Sequence, residues 1–227
     1  MIDVLAVSAH PDDIEAGCGG LLLHAHYNGL QTGIIICTRG ESGGFASAET
    51  RMAEAEAGAK ALHVDYFQQL DVPDAGVEVN TANMERLIPF IRMCAPRTVI
   101  TLHPTDYHPD HQAVSLLVDK TIFVAGLKKY STDESTWHPV HILHFAGDRR
   151  TNRKQPDMIL AIDDVWQEKL HAIDAHKSQH VLGYKKHVIQ RSLQYGALGG
   201  TRYGEGFFFK QPLTITDIRI LFPTRKE

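Results

Sequence analysis

The chain has 227 residues, a formal net charge of −4, and 43% hydrophobic and 22% charged residues. These values are ordinary for a soluble globular protein that can bury a substantial core. The acidic balance excludes the basic surface that phosphate binding needs. No apolar run reaches the 18 to 20 residues, roughly, of a membrane span. We therefore expect one domain over residues 1–227, with neither nucleic acid nor membrane as a partner.

The three cysteines, Cys18, Cys37 and Cys94, are odd in number and lack C-x-x-C spacing. This usage argues against a disulfide framework or a cysteine zinc ribbon and suits a reducing compartment. The first ten residues have the pattern of a strand, without the features of a signal peptide. The sequence therefore predicts a cytoplasmic protein.

Short apolar runs alternate with helical patterns along the first half of the chain. The predicted strands are residues 3–8, 33–38, 64–70 and 98–102. The predicted helices are a segment that ends at Asn28-Gly29 and residues 50–62, 81–93 and 111–127, with Pro89 as a kink or a boundary. Apolar strands that alternate with helices indicate a parallel sheet covered on both faces.

The second half has weaker patterns. Residues 140–145 and 158–162 are predicted strands, and residues 164–176 and 183–196 are predicted helices. The glycine-rich passage that follows predicts no element. The expected fold is α/β, a Rossmann-like three-layer sandwich with a mostly parallel sheet.

Two clusters of histidine and aspartate follow the first and fourth predicted strands, as AHPDD at 9–13 and HPTDYHPDH at 103–111. In a doubly wound sheet the fourth strand pairs with the first on the side opposite the second. Ligands bind in the crevice at the carboxyl ends of that pair. We therefore expect the two clusters to face each other there.

The spacing within these clusters indicates a metal site. His10 and Asp13 are three residues apart, as are His108 and His111, so each pair can turn toward one point at a helix start. Two imidazoles and a carboxylate are a common catalytic zinc set. A bound divalent ion lowers the pKa of water from about 15.7 toward about 7. Whichever of Asp12 and Asp13 is not a ligand would serve as general base.

Two glycine-rich stretches offer other interpretations. Residues 17–20 lack the G-x-G-x-x-G pattern and follow two aspartates that would repel a phosphate, so we expect these glycines to allow close helix–strand packing. Residues 40–44 match G-x-S-x-G, but the next helix begins only near Thr50, which favours a loop over a nucleophile elbow. A serine esterase that uses Ser42 and a non-catalytic sugar- or nucleotide-binding module remain the alternatives.

The motifs AHPDD and HPDH, at this separation, resemble the PIG-L/LmbE-like superfamily of zinc-dependent sugar de-N-acetylases. Further stretches are similar to the bacterial N-acetylglucosaminyl-malate deacetylases of bacillithiol synthesis: TRGE at 38–41, ETRMAEAEAGAKAL at 49–62, TIFVAGLKKY at 121–130 and YGEGF at 203–207. The resemblance implies the deacetylase fold of that superfamily. It also implies that His10, Asp13 and His111 bind Zn²⁺, with Fe²⁺ or another divalent ion as alternatives, and that Asp12 is the general base.

The remaining site residues come from the same resemblance. His108, oriented by Asp110, would stabilise the oxyanion or protonate the leaving amine. Arg51 would contact substrate, and Tyr184 would help to hold the tetrahedral intermediate. The chain departs from these relatives at Tyr107, where they often have arginine, so one wall of the pocket differs.

The implied reaction removes the N-acetyl group of an N-acetylglucosamine conjugate and releases acetate and a free amine. N-acetylglucosaminyl L-malate is the favoured small-molecule substrate, and a chitooligosaccharide is the alternative. The resemblance also implies a homo-oligomer such as a hexamer. We expect the other histidines, among them His144 and His176, to be surface or packing residues.

Overall fold

A computed structural model describes residues 1–130, 135–147, 150 and 155–214. Its strands are β1 (Val4–Ser8), β2 (Thr32–Thr38), β3 (Tyr66–Val72), β4 (Thr98–Leu102), β5 (His141–Phe145), β6 (Met158–Ala161) and β7 (Gly204–Phe209). Its helices are α1 (Asp13–Tyr27), α2 (Ala48–Ala61), α3 (Thr81–Cys94), α4 (Pro109–Ala125), α5 (Trp166–Asp174), α6 (Lys177–His180) and α7 (Tyr184–Gly199). Among these described residues, no helix combines the length and the hydropathy of a membrane span.

The strands form one mostly parallel sheet in the order β3-β2-β1-β4-β5-β7-β6. β1 lies between β2 and β4 and is parallel to both, with Val7 opposite Ile35 and Thr101. The predicted α/β fold and the change of direction at β1 are therefore confirmed. Because the parallel strands β1 and β4 are in register, the segments after Ser8 and Leu102 leave the sheet at the same edge.

The core lies between the sheet and its two helical layers. Every residue of β1 and β2 is buried, and Leu5, Ile35 and Val99 expose none of their surface. Burying each such side chain contributes about 1.5–3 kcal/mol. Strands buried on both faces need no polar alternation, which explains the continuous apolar runs in the sequence.

The glycine-rich passage contains β7, an element that the sequence pattern did not predict. β7 is antiparallel to both β5 and β6. A Cβ at Gly206 would lie 2.8 Å from the ring of Tyr195, and one at Gly204 would lie 3.0 Å from the backbone nitrogen of Gly196. These glycines let α7 pack closely on the strand, and they also weaken its sequence signal.

A kink at Cys18 interrupts α1, where φ is −143°. The Glu205 carboxylate accepts hydrogen bonds from the backbone amides of Gly20 (2.6 Å) and Leu21 (2.9 Å) beyond the kink. Lys169 donates to this carboxylate at 2.5 Å and also to the carbonyl of the residue two before Cys18. A buried ion pair therefore satisfies the backbone groups around the kink.

The glycines of α1 are packing positions, as the sequence predicts. A Cβ at Gly17 would overlap the ring of Phe145 on β5, and one at Gly20 would overlap the side chain of Ile162. The helix therefore lies close to the sheet. This contact fixes the start of α1 at the edge where β1 ends.

Candidate active site

Two helix starts form the candidate site. His10 lies in the loop after β1, and Asp13 is the first residue of α1. His108 is the N-cap of α4, and its Nδ1 accepts a hydrogen bond from the backbone amide of Asp110 at 3.2 Å. Each strand thus passes into a helix through a short polar segment, as helix N-termini require.

Two ring nitrogens and the two carboxylate oxygens of Asp13 lie close together in these segments. Nε2 of His111 is 3.2 Å from Nδ1 of His10 and 3.2 Å from Oδ1 of Asp13. The other Asp13 oxygen is 3.5 Å from Nδ1 of His10. Ligand bonds of about 2.0–2.1 Å in a tetrahedral zinc site place neighbouring ligand atoms about 3.3–3.4 Å apart. Two imidazoles and a carboxylate therefore suit a divalent cation by their chemistry, and each pair of residues makes one contact close to that spacing.

His108 lies beside the same three residues. Its ring centroid is 4.7 Å from the ring centroids of both His10 and His111, and nitrogens of these three histidines also lie close enough to hold an ion. Burial lowers the pKa of His108, and the neighbouring histidines lower it further. His108 is therefore a neutral imidazole near pH 7, available at the centre as a ligand or as a hydrogen-bond donor.

Asp12 is adjacent to Asp13 in the candidate site and lies close to Arg51. It is the N-cap of α1 with φ of 106°, a left-handed conformation that costs a non-glycine residue about 1–2 kcal/mol. Burial raises its pKa to about 6, although the nearby Arg51 guanidinium opposes this rise. A carboxylate with a pKa near the working pH is suited to general base catalysis.

Arg51 and Tyr184 both contact the segment that carries Asp12. Nη2 of Arg51 donates to the carbonyl of Pro11 at 2.6 Å and lies 3.5 Å from Oδ2 of Asp12. The Tyr184 hydroxyl donates to the carbonyl of Asp12 at 2.7 Å. Both side chains also line the cavity above the site. They therefore help to hold the strained backbone at Asp12 in addition to lining the cavity.

The Asp110 carboxylate faces His10 rather than His108. Its Oδ2 is 3.3 Å from Nε2 of His10 and accepts the backbone amide of Ala75 at 2.8 Å. Its Oδ1 accepts the amide of Val77 at 3.3 Å. The contact with His108 runs through the Asp110 backbone, so the expected orientation of His108 comes from a main-chain amide.

Two further aspartates lie at the site, and the sequence patterns did not predict either of them. Oδ1 of Asp106 is 3.0 Å from Nδ1 of His111 and accepts the backbone amide of His108. Oδ1 of Asp74, in the turn after β3, is 3.0 Å from Nε2 of His10. Asp106 stands in HPTDYHPDH, so its position five residues before His111 was an available signal. No sequence signal marked Asp74, because its partner His10 is distant in sequence.

A buried Glu15–His176 pair lies behind Asp12. Nε2 of His176 is 3.1 Å from Oε1 of Glu15, and His176 exposes no surface. Gly58 on α2 leaves room for the pair, because a Cβ there would overlap Glu15 and crowd His176. The His176 ring also meets Tyr184 edge-on at 6.0 Å. His176 is therefore a packing residue, the second of the two environments expected for it, and it lies against α1.

The site opens into a cavity of about 550 Å³, a size typical of small-molecule sites. Its lining includes the carboxylates of Asp12, Asp13 and Asp74. It also includes the basic side chains of Arg150, His187 and Arg191. The Arg150 guanidinium lies 3.6 Å above the ring of Tyr107, a cation–π geometry. Arg150 therefore brings a cation to the position where Tyr107 departs from the related deacetylases.

Ser42 does not have the geometry of a nucleophile elbow. It lies in the segment between β2 and α2, residues 39–47, and not in a tight turn from strand to helix. Its hydroxyl donates to the backbone carbonyl of Asp74 at 3.2 Å. The residue therefore serves as a contact between two loops.

The sheet and the histidine–aspartate centre define an α/β protein with a candidate cation site at its switch point. Residues 5–122 match the model of the PIG-L family, described as GlcNAc-PI de-N-acetylase. The chain belongs to the PIG-L family. This membership confirms the resemblance noted in the sequence and the expectation of an enzyme that hydrolyses amides.

Relatives support the assignment over most of the chain. The chain is 27% identical over 221 residues to the diacetylchitobiose deacetylase of Thermococcus kodakarensis, covering 91% of this chain and 82% of that protein. It is 26% identical over 189 residues to a probable N-acetyl-alpha-D-glucosaminyl L-malate deacetylase 2 of Bacillus cereus, covering 78% and 83%. The structure of a conserved protein from Thermus thermophilus superposes with a TM-score of 0.88 and 30% identity, over 95% of this chain and 98% of that chain.

Proposed function

We propose that this protein is a zinc-dependent deacetylase that removes the N-acetyl group of an N-acetylglucosamine conjugate. The observation that carries the proposal is the approach of His10, Asp13 and His111, whose ring nitrogens and carboxylate oxygens make contacts of 3.2 to 3.5 Å. A largely buried Asp12 with a raised pKa lies next to them. The family and the named deacetylase relatives support the same reaction.

His10, Asp13 and His111 would hold the cation, and two imidazoles with one carboxylate favour Zn²⁺. When bound, such a cation polarises an amide carbonyl and makes a nearby water more acidic. Asp12 accepts a proton from the attacking water, since its carboxylate is ionised and largely shielded from solvent. Arg51 and Tyr184 hold the backbone of Asp12 and so fix the direction of this proton transfer.

His108 acts as a hydrogen-bond donor. Its Nδ1 accepts the Asp110 amide, so in the neutral ring the proton resides on Nε2. This N–H can donate to the oxyanion that develops on the carbonyl oxygen of the acetyl group. Such a contact is worth several kcal/mol in a preorganised site. Asp12 then returns its proton to the departing nitrogen. The C–N bond breaks, and the remaining hydroxyl proton of the acetic acid passes to the amine, so acetate and the ammonium form of the sugar leave.

The conjugate that we favour is N-acetylglucosaminyl L-malate. Two arginines in the cavity wall, Arg150 and Arg191, offer positive charge that complements a dicarboxylate. A second candidate is a chitooligosaccharide, which is neutral beyond the reacting sugar. The diacetylchitobiose deacetylase that aligns with 91% of the chain favours it.

The test is acetate release from a panel of N-acetylglucosaminyl compounds, with metal content measured on the same sample. We expect release that a chelator stops and that added Zn²⁺ restores. Activity that resists the chelator but yields to a serine-directed inhibitor would instead support the Ser42 esterase. A protein that binds these sugars without any turnover would support the binding module.

We also propose a reducing, cytoplasmic location and a homo-oligomer such as a hexamer. Three buried free thiols, at Cys18, Cys37 and Cys94, support the location. Large apolar side chains exposed on α4, Leu116 and Phe123, support self-association. Light scattering after gel filtration measures the oligomer, and a monomer at micromolar concentration would contradict it.

A further inference from the structure

The turn after β3, residues 73–76, contacts the candidate metal site. We call it the β3 turn. Only 5% of the Asp74 side chain is exposed, and its Oδ1 lies 3.0 Å from Nε2 of His10. The β3 turn follows the strand at the end of the sheet, two strands away from β1. A residue distant from both histidine clusters in sequence thus touches one of the residues that would hold the cation.

The two ring nitrogens of His10 face different groups. Nδ1 faces Asp13 and His111, whereas Nε2 faces Asp74 and Asp110. In the proposed site Asp13 and Nδ1 of His10 both serve the cation, so the proton of a neutral His10 belongs on Nε2, where the nearer carboxylates of Asp74 and Asp110 accept it. The lone pair of Nδ1 is then directed at the cation position. A carboxylate behind the ring is the usual device that fixes a metal-binding histidine.

Asp74 is the nearer of the two carboxylates, at 3.0 Å against 3.3 Å for Asp110. One backbone amide, that of Ala75, joins them, because it donates to Asp74 at 2.9 Å and to Asp110 at 2.8 Å. Ala75 has φ of 60°, a left-handed conformation that disfavours a residue with a Cβ. The fold retains this strain where the amide holds both carboxylates toward His10.

Asp74 also holds the loop of residues 39–47, which lines the cavity through Ser42. Its Oδ2 accepts the backbone amide of Ser42 at 2.8 Å, and its carbonyl accepts the Ser42 hydroxyl. Its own amide donates to the Glu41 carboxylate at 3.0 Å. A single residue therefore contacts both the loop and His10.

We propose that Asp74 is a positioning residue that fixes the tautomer and orientation of His10 and anchors the 39–47 loop to the metal site. The inference rests on the proposed function, since it assumes that His10 holds a cation. Removal of such a supporting carboxylate typically weakens metal binding about 10- to 100-fold. Removal of the Asp74 carboxylate should also leave the Ser42 backbone amide without its acceptor.

The experiment titrates Zn²⁺ into cation-free protein against a chromophoric chelator. Asp74→Ala should weaken Zn²⁺ binding about 10- to 100-fold. Asp74→Asn should weaken it less, because its amide oxygen can still accept from Nε2 of His10. Asp71→Ala and Asp71→Asn are matched controls, because Asp71 is an aspartate of β3 with 74% of its side chain exposed, and both should bind Zn²⁺ like the wild type. Hydrogen exchange at the Ser42 amide should quicken in both Asp74 variants, because the amide nitrogen of asparagine cannot replace Oδ2 as its acceptor, and in neither Asp71 variant.

The outcomes separate the two proposals. Wild-type protein that binds no Zn²⁺ would overturn the proposed function and this inference with it. Wild-type protein that binds Zn²⁺, with Asp74→Ala binding equally well, would overturn the role of Asp74 and leave the function standing. Circular dichroism of the cation-free variants checks folding. If Asp74→Ala fails to fold, Asp74→Asn carries the test, and affinity equal to that of Asp71→Asn would overturn the inference.

Discussion

Two buried histidines on neighbouring elements have opposite electrostatic surroundings. His111 and His144 are 5% and 4% exposed, and they lie in the first turn of α4 and on β5. Burial disfavours the charged form of both rings. At His111 the charge of Asp13 and a hydrogen bond with Asp106 overcome burial and raise the pKa to about 9. At His144 burial prevails over the charge of Asp119, and the pKa falls to about 4.

The difference shows that burial alone does not make a histidine a ligand. His111 has a carboxylate on each ring nitrogen, at 3.0 and 3.2 Å, which orients the ring and compensates positive charge. Nε2 of His144 has no hydrogen-bond partner among the described residues, and the ring meets that of His103 edge-on with the centroids 5.9 Å apart. The first environment suits a cation, and the second suits a neutral packing residue.

The largest expected effect comes from the removal of His111, and the removal of His144 is its comparison. His111→Ala should lose the bound cation and reduce acetate release by about 10³-fold or more, since the cation supplies several kcal/mol of catalysis. His144→Leu should retain one cation per chain and most of the turnover. Metal analysis and acetate release on the same samples measure both. Loss of the cation from His144→Leu would contradict the assignment of His144 as a packing residue.

Asp12→Asn should separate turnover from metal binding. Asparagine cannot accept a proton from water, so we expect a fall of about 10² to 10⁴ in turnover, typical of a lost general base. The cation content should stay at the wild-type level, because the three donor atoms belong to other residues. Equal loss of cation and activity would assign Asp12 to the ligands, and normal turnover would refute its role as the base.

The low pKa of His144 predicts a pH-dependent stability. The folded state holds the ring neutral, while the unfolded chain protonates it below about 6.5. Its stabilising contribution is therefore complete above pH 6.5 and is lost as the pH falls toward the folded pKa of about 4. Over that window the loss is on the order of 3 kcal/mol, since one pKa unit corresponds to about 1.4 kcal/mol.

Urea unfolding of cation-free protein between pH 7 and pH 4 measures this loss. His144→Leu should show a flatter dependence than the wild type, with the two curves differing most at the acidic end. The charged groups near the ring, Asp119 and Lys210, are unchanged in the variant and cancel in the difference. Parallel curves would mean that His144 is not held neutral.

The sequence predicted the parallel part of the fold because strands buried on both faces leave continuous apolar runs. It missed β7, because the glycines at 204 and 206 that admit α7 remove the side chains that signal a strand. Pro89 did not end its helix, and α3 runs from Thr81 to Cys94. The packing of α3 against α4 outweighs the lost hydrogen bond there.

The site was predictable where its residues are close in sequence. His10 and Asp13, like His108 and His111, are recognisable by their spacing. Asp74 and the pair of Glu15 with His176 are not, because each meets its partner only when separate segments pack together. A single aspartate in a turn has many uses, and its contact with a metal-binding histidine is a property of the folded chain.

The smallest expected effect concerns Arg150, whose guanidinium lies over the Tyr107 ring. His111 is paired with carboxylates from the protein, whereas Arg150 lines the cavity, where the proposed function expects it to contact a carboxylate of the substrate. Arg150→Ala should raise the KM for N-acetylglucosaminyl L-malate about three- to tenfold, equivalent to about 0.7–1.4 kcal/mol, with kcat unchanged. The effect should shrink at high salt, because ions screen a partly exposed charge.

Two controls accompany the Arg150→Ala measurement: a neutral substrate and a second arginine variant. Diacetylchitobiose carries no charge, so its KM should be the same for Arg150→Ala and the wild type. Arg97→Ala removes an arginine before β4, at the opposite edge of the sheet, and should leave both values of KM unchanged. An equal rise for the charged and the neutral substrate would show that Arg150 shapes the wall through its contact with Tyr107, and the preference for a malate conjugate would then lose its electrostatic basis.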